Sequence, residues 1–437
     1  MSTRSMISSI MRRRAFACAW LFILPALPAA LWAQSPESDL AAGSEGLAKQ
    51  SSHFNLLDFH DEDLGSVNYE DEKDRFSVKF GLALLAADYT SFEQDEESKQ
   101  QVGNQQDEFE ARSLRLIVRG HFELLRRWNY KLSYEYKGFD KDYGEGDWAA
   151  SDFNFSTELG PRAGKLTIGK MKESHAYELV GDAANLPHPE RYLSPFFRSR
   201  NVGLQLTNAV FDERATWAVG WYNDWWLENE DFGDSGNDFA ARFTVLPVWR
   251  GDGDRYLHLG ASVRYYGADE GMLRYRGRPA TNLGPDYVDT GNIPGDHAWH
   301  GGLELLWTHY GFSVLGEYIG AELRTRDGSN PYLDGYYVTV GWVLSGEHRP
   351  YDRQAGYARR VLPQHPWGAV ELIGRYGVVD TDDGIAEGGT MEGWWAGVNW
   401  WATNRWKFSV VYGDIDLDRF GITGSTRTLL SRLQWIY

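Results

Sequence analysis

The chain has 437 residues, with 62 acidic against 44 basic side chains and a formal net charge of −18, which argues against a nucleic-acid partner. Aromatic residues make up 15% of the chain and include 19 tryptophans, more than an ordinary soluble core buries but suited to a wall that faces lipid. Beyond the N-terminal segment no run of 18 apolar residues occurs, which excludes a helical membrane protein.

Residues 1–33 have the regions of a secretory signal peptide. Three arginines at 12–14 precede an apolar run over 15–32 that ends in small residues. Prolines interrupt this run, and it is too short to span about 30 Å of hydrocarbon, so we expect cleavage after Ala33. The adjacent arginines leave a twin-arginine signal open, although that route carries folded proteins and a membrane barrel must arrive unfolded.

The mature chain has no thiol, because the single cysteine, Cys18, lies inside the predicted signal. This excludes a disulfide framework and cysteine-bound metal, and we predict neither a cofactor nor a metal. The signal carries four arginines and no acidic residue, so its removal lowers the formal charge from −18 to −22.

Residues 34–74 are polar, acidic and without sustained periodicity, which predicts a periplasmic N-terminal segment with at most one short helix or strand. From residue 75 onward the sequence alternates with a period of two. In Trp128–Lys137 every even position is aromatic or aliphatic and every odd position is polar or charged, so a strand would show one face to lipid and the other to water.

The same alternation returns about 16 or 17 times, and a closed bacterial barrel needs an even number of strands. We therefore predict an all-β fold, a transmembrane antiparallel β-barrel of 16 strands over residues 75–437. Long polar stretches at Ser91–Asp107, Trp226–Asn237 and Gly267–His297 alternate with short joins, which predicts short periplasmic turns and long outer loops. Closure is needed because hydrocarbon offers no partner to a free sheet edge.

The last residues predict the strand that closes the barrel. Leu433, Trp435 and Tyr437 share one face, and the chain ends on an aromatic residue. Outer-membrane lipid and lipopolysaccharide are the predicted surroundings of such a wall.

Several stretches give the chain its resemblance to a known family. They are Arg112-Ser113-Leu114-Arg115-Leu116; Gly169-Lys170-Met171-Lys172-Glu173 followed by Pro189-Glu190-Arg191 and Arg200-Asn201-Val202-Gly203; Arg278-Pro279 with Asp289-Thr290-Gly291; Val343 to Tyr351; and Gly397-Val398-Asn399-Trp400-Trp401. In this order they resemble the phosphate-selective porins O and P from about Phe76 to Tyr437.

The resemblance implies a homotrimer of 16-stranded barrels in the outer membrane. It also implies inward loops that narrow each pore, and a ladder of arginines and lysines that passes phosphate or polyphosphate. One departure bears on that preference, because the family usually opens its second strand with two adjacent arginines, whereas Arg112 is followed here by Ser113.

The alternation itself assigns side chains to the lumen. With Leu114, Leu116 and Val118 toward lipid, Arg115 and Arg119 point inward, since the opposite register would cost about 2–4 kcal/mol for each arginine near the midplane. The same argument and the resemblance together give the predicted lining of a path for small inorganic anions: Arg112, Arg115, Arg119, Lys131, Lys170, Lys172, Arg198, Arg200, Arg242, Arg264 and Arg375.

The long stretch His175–Arg200 is a candidate constriction loop. Its arginines either line the ion path or pair with Glu178, Asp182 and Glu190 to hold the loop, and the sequence leaves both interpretations open. The strand arginines likewise either line the path or pair with inward acids such as Glu135 and Glu371.

The sequence also allows three alternatives to an anion porin. A sugar or cation channel would use inward acids and tryptophans such as Trp394, Trp395 and Trp401. A barrel enzyme would need a nucleophile and base on adjacent strands, and no Ser-His-carboxylate arrangement can be assigned, so we predict that the chain is not an enzyme. A soluble sandwich or propeller is the third interpretation.

Overall fold

A computed structural model describes residues 67–136, 148–223 and 236–436. The predicted signal peptide, most of the predicted segment 34–74, Lys137 and Tyr437 lie outside these ranges. The division of the chain at residues 33 and 74 therefore stays a prediction.

Sixteen long antiparallel strands form the wall within the described residues, which confirms the predicted fold and strand number. In chain order, β1 to β16 are Phe76–Gln94, Glu108–Leu124, Arg126–Tyr136, Trp148–Gly160, Gly164–Met171, Asn201–Val210, Ala215–Asn223, Asn237–Arg250, Arg255–Gly267, Ile293–His309, Phe312–Thr325, Tyr332–Val343, Ala369–Asp383, Ala386–Trp401, Trp406–Arg419 and Ile422–Ile436.

The sheet closes between its first and last strands. Leu84 of β1 pairs with Ile436 of β16, and the pairing continues up to Gln94 with Thr426. The N-terminal part of β1 extends past the end of β16, and a short strand, Val67–Glu70, pairs with that part of β1. The backbone groups of the junction are thus paired with protein, as a strand in hydrocarbon requires.

Short elements lie in the connections. They are the helices α1 (Glu96–Val102), α2 (Tyr177–Val180) and α3 (Gly251–Asp254), the 3-10 turns Ala183–Asn185 and Ser194–Phe196, and the two-residue strands Met272–Leu273, Arg276–Gly277, Val288–Asp289, Tyr351–Asp352 and Tyr357–Ala358. No helix among the described residues is both long and apolar enough to cross a membrane.

Side chains alternate between the two faces as the sequence predicts. On β2, Ser113, Arg115, Ile117 and Arg119 are all buried, while the intervening leucines and valine are partly exposed on the outer face. On the outer face of β12 the side chains of Val338 and Trp342 are exposed, whereas Tyr337 and Thr339 on either side of Val338 are buried inside. The inward parity of the strand arginines therefore follows from the same alternation that makes the outer face apolar.

The two rims differ in their connections, with exceptions that the sequence did not predict. The rim that carries both ends of the barrel has turns of one to four residues, except for residues 344–368 between β12 and β13. The other rim has the long loops, but Gly384-Ile385 and Phe420-Gly421 are tight turns. Phe420 and Gly421 both have positive φ, 55° and 75°, the geometry that two-residue hairpins prefer. We assign the rim of short turns to the periplasm.

A charge placed on the outer face tests this orientation. Replacing Val338 by arginine should lower the free energy of unfolding by about 2–4 kcal/mol, because the guanidinium would face hydrocarbon near the middle of β12. Urea unfolding in lipid vesicles, followed by tryptophan fluorescence, measures the change. Val338→Leu is the control and should unfold like the wild type; equal stability of all three proteins would contradict the outward assignment.

Candidate pore constriction

Residues 172–200, which we call the constriction segment, connect β5 to β6 and fold into the barrel. The hydroxyl of Tyr192 donates to the carbonyl oxygens of Gly377 (3.1 Å) and Met391 (3.0 Å) on β13 and β14. The backbone N–H of Tyr177 donates to Glu317 Oε1 on β11 at 2.6 Å. These strands lie across the lumen from β5 and β6, so the segment crosses the interior of the barrel.

Glycines of the wall leave room for the apolar tip of the segment. Tyr192, Leu193 and Phe196 are fully buried at 0% exposure. A Cβ at Gly377 would lie 2.5 Å from Tyr192 Cε1, and one at Gly335 would lie 2.9 Å from Leu193 Cδ2. Because interiors are close-packed, any larger wall residue would push the tip out of its place.

The backbone between residues 184 and 190 is held by side chains of the wall and by Arg349, which lies between β12 and β13. Six of its carbonyl oxygens accept hydrogen bonds: Ala184 from Gln434 (3.3 Å), Asn185 from Arg349 (2.7 Å), Leu186 from Lys407 (3.2 Å), Pro187 from Asn399 (2.8 Å), Pro189 from Arg432 (2.6 Å) and Glu190 from Arg375 (2.9 Å). These six donors therefore satisfy a stretch of backbone that forms no regular ladder of its own.

Carboxylates of the segment pair with arginines of the wall. Glu173 Oε2 accepts from Arg264 Nε at 2.6 Å, and Glu178 accepts from Arg375. Both pairs are almost fully buried, and charge-assisted bonds of this kind are among the strongest in proteins. Removing one partner of such a pair would leave a buried charge uncompensated.

Glu190 makes a third contact of this kind. Its Oε1 accepts from Arg112 Nε at 2.7 Å, and Arg432 donates to the same oxygen. The acids of the segment thus pair with the wall. Among the segment's own arginines, Arg191 donates to the carbonyl oxygen of Glu178 (2.5 Å) rather than to its carboxylate.

The remaining predicted residues fall into three environments. Arg115 donates through Nε and Nη2 to Glu135, Arg242 pairs with Glu304 at 2.7 Å, and Lys131 and Arg200 share Asp152. Arg198 lies 5.7 Å from the centre of the Tyr266 ring. Arg119 and Lys170 are buried at 8% and 5% exposure.

Five cations come together where the segment leaves β5 and returns to β6. They are Arg115, Lys131, Lys172, Arg191 and Arg200, and three carboxylates lie among them, Glu135, Asp152 and Asp182. We call this set the basic cluster. Its positive charges exceed its negative charges, which favours an anion in the water next to it.

The pKa values of Lys172, Asp182 and Arg191 are all lowered in this cluster. Burial and the neighbouring Arg200 lower the pKa of Arg191 to about 10, although Glu178 and Asp182 act in the opposite direction. Burial holds the pKa of Lys172 well below its usual range despite Asp182, and Arg191 and Arg200 lower it further. The pKa of Asp182 is lowered, because Lys172 and Arg115 outweigh its burial.

Residues 344–368, the periplasmic segment, fold inward from the other rim. Its Ala358 N–H donates to Tyr177 Oη at 3.0 Å, and its Gly356 carbonyl accepts from Arg242 Nη2 at 2.8 Å. Tyr351 Oη lies 2.6 Å from His258 Nδ1. The two segments therefore touch inside the barrel.

The sequence prediction missed the cations of this second segment. Arg349 pairs with Glu371 at 2.6 Å, and Arg359 pairs with Asp352. Arg360 lies near Asp182 of the constriction segment. The adjacent arginines 359 and 360 were the available signal, but they lie on the rim where short turns were predicted.

The outer loop 268–292 also folds inward. Thr281 Oγ1 lies 3.0 Å from Thr90 Oγ1, and Tyr287 Oη donates to Thr426 Oγ1 at 2.9 Å. The tryptophans of the sugar-channel alternative do not form a track along the lumen: Trp394 is 45% exposed on the outer face, whereas Trp395 and Trp401 are buried at 3% and 1%.

The glycine pocket gives a direct test of the segment's position. Gly377→Ala should displace Tyr192 and alter single-channel conductance, because overpacking of this kind costs about 1–3 kcal/mol. Trypsin should also cleave more readily after Arg191. Gly374→Ala on the same strand is the control, since a Cβ there meets nothing within 4 Å. If both variants conduct and resist trypsin like the wild type, the segment is not seated on Gly377.

Comparisons with known proteins agree with this architecture. The family model described as phosphate-selective porin O and P matches residues 78–435. Porin O of Pseudomonas aeruginosa is 25% identical over 409 residues, which cover 83% of this chain and 89% of that protein. An uncharacterised protein of Caulobacter vibrioides is 31% identical over 197 residues, 42% of this chain and 38% of that one.

Solved structures show the same fold at low identity. OmpT of Vibrio cholerae, an outer membrane protein, aligns with a TM-score of 0.50 and 12% identity over 84% of this chain and all of that chain. The outer membrane channel DcaP of Acinetobacter baumannii aligns with a TM-score of 0.51 and 12% identity over 85% of this chain and all of that chain. With the family match over most of its length, this chain belongs to the phosphate-selective porin O and P family and is a β-barrel porin of the outer membrane.

Proposed function

We propose that this porin gives passive diffusion to small inorganic anions, with phosphate and related oxyanions as the preferred class. The observation that carries the proposal is the basic cluster, in which five cations surround three carboxylates at the narrowed part of the lumen. The family's description as phosphate-selective supports the choice of oxyanions.

The interaction energies suit the passage of an anion rather than its tight binding. An anion about 4 Å from one cation gains about 4 kcal/mol at an effective dielectric constant near 20, and the carboxylates of the cluster reduce that gain. Throughput needs several such moderate sites in series. The acidic balance of the whole chain does not oppose this, because charges more than about 8 Å away are screened at physiological salt.

The predicted cations divide between two roles in this proposal. Arg115, Lys131, Lys172 and Arg200 line the anion path together with Arg191, and Arg360 follows on the periplasmic side. Arg242, Arg264 and Arg375 hold the inward segments through buried carboxylates, which favours the structural role that the sequence left open. For Arg119, Lys170 and Arg198 the lining role stays a prediction.

A homotrimer in a lipopolysaccharide-containing membrane is part of the proposal. The family resemblance implies a trimer, and a trimer form is described for OmpT of Vibrio cholerae, which has this fold. That the chain is not an enzyme stays a prediction, supported by relatives that are porins.

The reversal potential of the purified protein in a planar bilayer under a potassium chloride gradient tests the function. An anion-selective current that phosphate blocks is expected. Replacing Lys172 and Arg191 together by glutamine should lower the anion-to-cation permeability ratio about fivefold or more, because two charges leave the path. Arg126→Gln at the exposed periplasmic rim is the control and should change little. Cation-selective wild-type current would instead support a general or sugar-type porin.

The pH dependence should follow Lys172. Since burial lowers its pKa, its charge is lost as the pH rises through a value below the ordinary one of about 10.4, and anion selectivity should fall there. Below about pH 10, where Arg191 begins to lose its own charge, Lys172→Arg should keep its selectivity, because the ordinary pKa of arginine lies well above that of lysine. Reversal potentials recorded at stepwise alkaline pH measure this; identical profiles for both proteins would remove Lys172 from the path.

A further inference from the structure

The Glu190 carboxylate is coordinated by the wall in the way that a bound anion would be. Arg112 reaches both carboxylate oxygens, with Nε 2.7 Å from Oε1 and Nη2 3.1 Å from Oε2. Arg432 donates to Oε1 from the other side. A carboxylate held by a bidentate guanidinium and a second arginine has the coordination that proteins give to free carboxylate and phosphate ligands.

The arginines and the carboxylate come from different parts of the barrel. Arg112 lies on β2 and Arg432 on β16, and both belong to the fixed wall, whereas Glu190 lies on the constriction segment. Arg432 is also held by Asp88 of β1, through Nε to Oδ1 at 2.7 Å and Nη2 to Oδ2 at 2.5 Å. The two arginines are thus positioned by the wall, and only the anion between them is supplied by a loop.

Further groups border the contact. Glu110 of β2 lies near Arg112, and its carboxylate accepts from Asn282 Nδ2 at 2.9 and 3.1 Å. Burial alone would raise the pKa of Glu190, but Arg112 and Arg432 outweigh it and hold the pKa well below its usual range. Glu190 is therefore ionised and carries the charge that a free anion would bring.

We propose that Arg112 and Arg432 form an oxyanion-binding site which Glu190 occupies as a tethered substitute, and that a free oxyanion such as phosphate displaces Glu190 and loosens this part of the constriction segment. The inference rests on the proposed anion function and adds to it a site and a movement. Exchange of one anion for another keeps the local charge balanced, which a simple opening of the buried pair would not.

Because Glu190 is attached to the chain, its attachment sets the phosphate concentration that is needed to displace it. A group on a short flexible chain competes at an effective concentration in the mM range, so free phosphate displaces it only when phosphate is comparably abundant or binds better. Displacement would free Pro189 and Glu190, whose carbonyls accept from Arg432 and Arg375. Tyr192 and Leu193 stay seated on the glycines of the wall, so the movement is confined to the residues before them.

Removing the tethered charge should expose the site to phosphate. Glu190→Gln is expected to lower the phosphate concentration that half-blocks the chloride current about tenfold, equivalent to about 1.4 kcal/mol. Glu97→Gln in the exposed helix α1 removes the same charge elsewhere and should block like the wild type. Adding Arg432→Gln to Glu190→Gln should abolish the gain. An unchanged half-blocking concentration in Glu190→Gln would overturn the proposal while the anion function stands.

A second measurement does not depend on selectivity. The only cysteine of the chain, Cys18, lies in the predicted signal peptide, so Pro189→Cys provides a single thiol, at a buried position of the segment next to Glu190. In the folded protein, phosphate should speed maleimide labelling of this thiol, whereas in the Glu190→Gln background labelling should be fast without phosphate. Labelling that is equally slow with and without phosphate in both backgrounds would contradict displacement, whatever ion the pore prefers.

Discussion

Charged side chains that are buried inside a barrel need partners of opposite sign, because little water is left there to solvate them. In this porin the constriction segment supplies many of those partners. Its acidic side chains pair with arginines of β2, β9, β13 and β16, and its backbone carbonyls accept from donors on the last four strands. The position of the segment, and with it the shape of the pore, therefore depends on charge pairing across the lumen.

This dependence divides the lumen into two sides. Along β10 to β16 the segment packs on glycines and apolar residues, and Arg375 and Arg432 of the wall pair with its carboxylates. Along β2 to β6 the basic cluster keeps more positive than negative charge. Cations with similar positions in the sequence pattern thus have different roles. Only the side with an excess of positive charge suits an anion path.

The wall could be predicted from the sequence, because alternation in a strand is local. Arg115, Arg242 and Arg264 are each flanked on both sides by apolar residues that face lipid, and their inward positions follow from this alternation. Glu135, named from the sequence as a possible partner of the strand arginines, pairs with Arg115 of the adjacent strand. The distant pairings could not be predicted, since Arg375 meets Glu178 across 197 residues and Arg432 meets Asp88 across 344. The inward fold of residues 344–368 also escaped prediction, because nothing periodic separates an inward strap from an exposed loop.

Hydrogen–deuterium exchange of the protein in lipid tests most directly whether the constriction segment is fixed inside the barrel. The N–H groups of Tyr177, Tyr192 and Leu193 donate to buried carboxylates at 2.6, 2.8 and 3.2 Å. These amides should exchange far more slowly than those of the exposed loop residues Gln106 and Asp107. Equally fast exchange in both regions would contradict a segment held by charge pairing.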